Sequence, residues 1–296
     1  MVAEAAPALP RPARRSPVLA FCLAQPLGAA GAIAITAMGL AAVFAERVAP
    51  YDPVAIDFGA MLAAPSVEHW FGTDAFGRDI LTRVIYGART ALAIGFLSSL
   101  LGCTVGAVLG VASAYFGGRI DMGIQRLVDI LLSFPIIVLA LVVVAMLGRN
   151  LVLGIDFNLI LAIAVPTMPR VARVVRSAAL SIREMPYIDA ARVQGFSDAR
   201  IIFRHMVPNV AAPYLIMFTA AIAQAILLEA SLSFLGLGVT EPTPAWGLML
   251  SGNASDFYRE APWMILFPGL AISVAVFAFN LFGDSLRDWL DPKFKV

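Results

Sequence analysis

Six apolar stretches recur along this chain, at about residues 21–43, 88–115, 127–147, 153–170, 212–235 and 263–282. Hydrocarbon offers no water to satisfy backbone N–H and C=O groups, so such a chain can cross a bilayer only as helices or as a closed barrel. The stretches approach or exceed the roughly 20 residues that a spanning helix needs, about twice the length of a barrel strand. The expected fold class is therefore all-α: a polytopic membrane protein with six transmembrane helices. A mean hydropathy of +0.85 and only 14% charged residues agree, and they make 296 residues one membrane domain rather than two soluble ones.

One stretch breaks the pattern. Residues 186–209, PYIDAARVQGFSDARIIFRHMVPN, carry Asp189, Arg192, Asp198, Arg200, Arg204 and His205 between two strongly apolar regions, too much charge for a bilayer interior. The punctuation is helical. Pro186 suits the first turn, where its missing N–H is not needed, and Gly195 suits the left-handed position past a helix end. Ser197 can cap a second helix with Asp198 in its first turn, and Pro208 is expected to stop it. The loop is read as residues 184–209, with a short helix over 186–194.

Around this insert the chain reads in order. Residues 1–20, rich in Ala, Pro and Arg, are expected to be a disordered tail, followed by the membrane domain over residues 21–296. The first apolar run exceeds a secretory signal in length, so it is read as an uncleaved span although Val43, Phe44 and Ala45 resemble a cleavage site. Residues 46–87 form an outer loop. Within it Ile80, Leu81, Val84 and Ile85 share a helical face, and Asp79, Thr82 and Arg83 are expected to face away from it, suggesting a short helix at the membrane interface, packed on the membrane domain in preference to touching substrate.

The second span holds Ser98, Gly102, Gly106, Gly110 and Ala114 at four-residue spacing. Small residues let backbones approach where lipid removes the hydrophobic drive for helix association, so a neighbouring helix is expected along this stripe. In the third span, kinked at Pro135, Asp129 is expected to pair with Arg126 one turn away. Arg170, Arg173 and Arg176 at the end of the fourth read as a snorkelling, solvated face. The fifth contains Gln224 and Glu229, assigned to the translocation path or its gate. For Glu229 two readings stay open: a functional intramembrane carboxylate, or an interfacial one with a local partner. Residues 236–262 form a second outer loop whose Trp246, Tyr258 and Trp263 suit a membrane interface. Cys22 and Cys103 sit in apolar runs as small hydrophobes, and His69 and His205 are isolated, so no metal or catalytic role is assigned to them.

Charge sets the sides. Six spans place both termini together, and fifteen of the twenty-one Lys and Arg fall on that side; only Arg47, Arg78, Arg83, Arg89, Arg149 and Arg259 fall opposite. Both termini and the 184–209 loop are therefore expected in the cytoplasm. The only two Lys are Lys293 and Lys295, so the chain has no GxxxxGK[ST] phosphate loop, and no GxSxG or HExxH occurs. The chain is read as non-catalytic, binding no cofactor, with a cytoplasmic surface that needs a partner to supply chemistry.

Asp189-Ala190-Ala191, Gly195 after three intervening residues, and Pro208 together resemble the cytoplasmic EAA loop of ATP-binding-cassette (ABC) importer permeases. GTDAFGRDILTRVIYGART at 72–90, LEASLSFLGLG at 228–238, PTPAWG at 242–247 and GDSLRDWLDP at 283–292 resemble the peptide/nickel branch, in particular the second permease of dipeptide and oligopeptide importers. Asp189 stands where the family has Glu, and His205 and Val207 stand where it has Ile and Leu. The resemblance implies a coupling helix seated in a groove of a cytoplasmic ATPase. Asp189 and Arg192 would make its polar contacts, Tyr187, Ile188, Ala190 and Ala191 its packed face, and Gly195 its turn. It further implies a homologous permease that completes the path, two ATPase subunits holding ATP and magnesium, an extracytoplasmic substrate-binding protein, and a place in the bacterial inner membrane. Peptides are the implied cargo; nickel, opines or glycosides in the same machine are the alternative. A stand-alone secondary transporter is the different-class alternative, and it would call for more intramembrane charge than Asp129 and Glu229 provide.

Overall fold

The computed structural model describes residues 17–152 and 155–290. Helices α1 (Pro17–Ala24), α2 (Pro26–Val43) and the single turn α3 (Ala45–Val48) come first. Helical structure thus begins at residue 17, inside the stretch expected to be a disordered tail, while residues 1–16, with Arg11, Arg14 and Arg15, lie outside the described residues, as do Lys293 and Lys295.

Helix α4 (Ile80–Phe116) is 37 residues long, about 56 Å at about 1.5 Å per residue, and so extends well beyond the membrane core. The short interfacial helix expected near residue 80 is simply its first turns. Asp79 caps it, its Oδ2 accepting from the Thr82 N–H at 2.8 Å and its Oδ1 lying 3.0 Å from His69 Nδ1. The polar face expected to point away is buried instead: Asp79, Thr82 and Arg83 are 4%, 0% and 1% exposed. The outer loops fold over that face and supply partners for it.

The third crossing is also not one kinked helix. Helix α5 (Gly118–Leu132) and α6 (Ile136–Leu147) meet at 96° around Pro135. A two-residue antiparallel ladder, β1 (Leu151–Val152) with β2 (Ile155–Asp156), then leads into α7 (Phe157–Arg183). Asp156 caps α7 by accepting from the Asn158 and Leu159 N–H groups. After the 184–209 loop come α10 (Ala211–Phe234), the single turns α11 (Trp246–Met249) and α12 (Asn253–Asp256), and α13 (Trp263–Leu290). Among the described residues the fold is all-α apart from the small ladder, with five helices long and apolar enough to cross a membrane and the bent α5–α6 pair as a sixth crossing.

The small-residue stripe does what its spacing predicts, and α7 is the neighbour. A Cβ at Gly102, Gly106 or Gly110 would lie 2.8, 2.6 or 2.6 Å from the carbonyl oxygens of Ala164, Met168 and Ala172, themselves spaced by four. Two backbones therefore touch along three consecutive turns. Toward the C-terminal end of α7, Arg176 bonds Asp121 at 2.7 and 2.5 Å, and Arg173 pairs with Asp129. The partner of Asp129 is thus Arg173 across the bundle rather than Arg126 on its own helix, and two of the three arginines read as solvated serve to tie α5 to α7.

On the outer side a charge network joins the two outer loops. Arg78 donates to Asp74 at 2.6 Å and to Glu241 at 2.7 Å, and buried Arg83 reaches the Pro53 carbonyl at 3.0 Å and Glu241 at 3.4 Å. Burial acts to raise the Glu241 pKa, but the Arg78 hydrogen bond and the Arg83 charge outweigh it and hold the carboxyl below its ordinary range. Trp246 is 1% exposed and donates to the Val84 carbonyl at 2.9 Å, so it is a core residue, not a membrane-interface anchor. Half-exposed Tyr258 keeps an outer position, and Trp263 donates to the Thr73 carbonyl at 3.1 Å.

The backbone contact yields a paired prediction. Gly106→Leu forces α4 from α7 and should cost about 1–3 kcal/mol or more, whereas Gly39→Leu on α2, where a Cβ meets nothing within 4 Å, should be near neutral. Thermal melting in detergent compares them; equal midpoints would refute a close-packed seam.

Candidate functional site

The 184–209 loop is assembled on the ends of α4 and α7. Arg183, the last residue of α7, donates to the Ala114 carbonyl at 2.9 Å, placing a cation at the negative end of α4. Helix α8 (Pro186–Val193) begins on Pro186 as its sequence dictates. It ends with Gly195 at φ +74°, where the Phe196 N–H reaches back to the Ala191 carbonyl at 3.1 Å and the Gly195 N–H to that of Arg192 at 2.9 Å. This paired closure satisfies two of the terminal carbonyls and needs a left-handed residue, which explains the glycine.

Ser197 then caps α9 (Asp198–Ile201) by accepting from the Arg200 N–H. The helix does not stop at Pro208. A π turn (Ile202–Met206) and a 3-10 turn (Val207–Val210) carry the same axis into α10, so that Asp198–Phe234 is one helical path. The wider turn before Pro208 accommodates its ring and missing N–H without ending the helix.

The faces of α8 are divided differently from expectation. Ile188 and Ala191 are 0% and 5% exposed, packed in a cluster with Val111, Ala114, Tyr115 and Val175. They hold α8 to its own chain and are not free to pack on a partner. Tyr187, Asp189, Ala190, Arg192 and Val193 are exposed, and Val193, at 89%, is the most exposed apolar side chain of the loop. Asp189 and Arg192 pair along the helix at 3.0 Å, a span the shorter Asp arm covers.

Spacing alone did not reveal two residues that fasten the loop. The Tyr115 hydroxyl, at the end of α4, donates to Asp198 Oδ1 at 2.6 Å, and the Arg192 guanidinium lies 5.7 Å from the Tyr115 ring centroid. They are 83 residues apart in the chain. The only local hint is an aromatic with a polar tip at the end of an apolar span.

Glu229 lies on α10 and is fully buried, so it is not at an exposed interface, yet it has the local partner that the second reading gave it; the Leu237 and Gly238 N–H groups reach back to the Leu232 carbonyl and turn the chain at the helix end. Its Oε1 accepts from the Ser233 hydroxyl at 2.7 Å, and that oxygen accepts from the Val239 N–H at 3.0 Å. Glu229 thus fastens the last turn of α10 to the loop after it and opens on no cavity among those described. Gln224, on the same helix, is half-buried.

Known proteins resemble both the sequence and this architecture. Residues 102–296 match the family described as "Binding-protein-dependent transport system inner membrane component". A dipeptide transport system permease protein of Alkalihalophilus pseudofirmus is 45% identical over 91% of this chain and 86% of its own length. A putative peptide transport system permease of Brucella suis is 44% identical over 90% and 88%, and a glutathione transport system permease of Escherichia coli is 41% identical over 92% and 88%. In three dimensions the chain is similar to the MetNI methionine ABC transporter in an inward-facing form, with a TM-score of 0.55 at 17% identity, covering 72% of this chain and 98% of that one. With its apolar helices joined by a charged helical loop and the relatives named above all permeases, the chain belongs to the family of inner-membrane components of binding-protein-dependent transport systems, the permeases of ABC importers.

Proposed function

We propose that this permease carries short peptides inward across a bacterial inner membrane, driven by ATP hydrolysed on separate cytoplasmic subunits. The cargo follows from the relatives, whose names specify dipeptides, peptides and glutathione, itself a peptide. One observation of the molecule carries the coupling: outside the apolar spans, α8 presents Tyr187, Ala190 and Val193 to solvent while its other face is locked to α4 and α7. A free face on a rigidly held helix suits a partner that pushes.

The charge asymmetry supports a cytoplasmic side for this face and both termini. The partner that suits it is an ATPase holding ATP and magnesium; this chain itself binds neither. A homologous permease completes the solute path, and an extracytoplasmic binding protein delivers solute to the outer loops. In this arrangement Asp189 and Arg192 supply the polar contacts, Gly195 the turn, and Ile188 and Ala191 the attachment to the bundle.

Uptake of a radiolabelled dipeptide into proteoliposomes tests the reading. Transport should require ATP, the ATPase and the second permease; uptake by this chain alone would overturn it. Val193→Asp adds a charge to an exposed apolar position and should leave insertion intact while lowering ATPase co-purification by about tenfold, the scale of 1.4 kcal/mol. Tyr115→Phe removes the hydroxyl bonded to Asp198. It should leave the ATPase bound but reduce peptide transported per ATP hydrolysed, measured by parallel uptake and phosphate release.

A further inference from the structure

Two cavities open along one side of α4. The outer one, about 480 Å³, is lined by Tyr86, Arg89, Thr90 and Ala93 of α4, facing Arg149 and Thr240. The inner one, about 440 Å³, is lined by Thr104, Ala107, Val108 and Val111 of the same helix, facing Phe203 and Tyr214. Positions 86, 90, 93, 97, 100, 104, 108 and 111 advance by three or four, so they form one stripe down the helix, about 38 Å from end to end. It lies on the side away from Gly102, Gly106 and Gly110. Between the cavities, Leu97 and Leu100 on the stripe and Phe96 beside it are exposed.

The middle of this face is not like a lipid-facing surface. Phe96 meets Phe218 of α10 edge-on at 5.5 Å, and Phe218 lies parallel to Tyr214 at 6.1 Å. The Tyr214 hydroxyl shares one hydrogen bond with the exposed Thr104 hydroxyl at 3.1 Å. Two hydroxyls carry two O–H donors and one shared bond uses one of them, so the other is left for something outside this chain. Hydrocarbon cannot accept it, and water or a passing amide can. At the outer end Arg149 is exposed and donates to the Thr240 hydroxyl at 2.8 Å. Ile33 and Phe277 on α2 and α13 are exposed at 70% and 65%, as Val108 on the stripe is at 63%, so what sets the stripe apart is the hydroxyl pair and its charged outer end.

The geometry points to this stripe of α4, with Tyr214 and Phe218 of α10, as the wall that the chain contributes to the solute path. The inference rests on the permease reading and gives the path a place that neither Gln224 nor Glu229 occupies. The outer vestibule carries charges of both signs, Arg89 and Arg149 with Asp156 and Glu241, suited to the two charged ends of a short peptide. The aromatic and apolar stretch below it suits side chains of varied shape, with the Thr104–Tyr214 pair as a hydrogen-bonding step for peptide groups. The inner cavity is also lined by Ile202, Phe203, Val207 and Val210 from the π and 3-10 turns directly after the docking loop, so a push on the loop reaches this wall through one helical path.

Thiol labelling separates a wet wall from a lipid-facing one, because methanethiosulfonates react with the thiolate and a thiol in hydrocarbon stays protonated. Single cysteines Leu100→Cys, Thr104→Cys and Val108→Cys would be introduced into a Cys22→Ser, Cys103→Ala background and compared with Ile33→Cys and Phe277→Cys. The complete transporter in membrane vesicles would be treated with a charged, membrane-impermeant methanethiosulfonate. The three wall positions should react at least about tenfold faster than the two controls, given the dependence on ionised thiol, and saturating peptide should slow them. Wall rates no higher than the controls, with wild-type uptake intact, would overturn the wall and spare the permease reading. Absence of ATP-dependent peptide uptake by the wild type would instead remove the reading beneath it.

Discussion

The contact between the α4 and α7 backbones carries the rest of the molecule. In lipid no hydrophobic force draws helices together, and dispersion along a close seam has to serve instead. Three glycines at four-residue spacing, set against the carbonyls of Ala164, Met168 and Ala172, let that seam form over three turns. Because α4 extends beyond the membrane core, fixing it to α7 fixes more than a span. Its first turns anchor the loops at one pole, and its last turn receives the 184–209 loop at the other.

Where the charged loop is attached, the same two helices become a platform. Arg183 of α7 caps the end of α4, Tyr115 of α4 holds Asp198, and Ile188 and Ala191 fill the angle between them. Helix α8 is short, and an isolated helix of that length is marginal in water. Here its order comes from the buried face. The consequence is mechanical: force on the exposed face is delivered to two spans at once, and through the continuous helical path Asp198–Phe234 to a third.

The outer pole uses charge where the centre uses close packing. Asp74, Arg78, Arg83 and Glu241 join the segment before α4 to the segment after α10, and Glu229, through Ser233, fastens that second segment to α10. Buried ions are costly without partners, and here each of these arginines has at least one carboxylate. Arg149 is different, exposed with a hydroxyl as its partner, at the mouth of the stripe we assign to the solute path.

Much of this was legible in the residues because it depends on local physics. Hydropathy over a helical length located the spans, the bias of Arg and Lys proposed the sides, Pro186, Gly195 and Ser197 drew the docking helix and its successor, and four-residue spacing announced a close neighbour for α4. What spacing could not supply was the identity of the partner. Asp129 had Arg126 one turn away yet pairs with Arg173, which is 44 residues distant, and Arg83 and Thr82 looked like an outward polar face until two loops closed over them. Ile188 and Ala191 looked equally fit for an ATPase or for their own bundle. A sequence determines which residues share a face, through the period of the helix; only tertiary packing decides what covers that face, because the covering group comes from elsewhere in the chain.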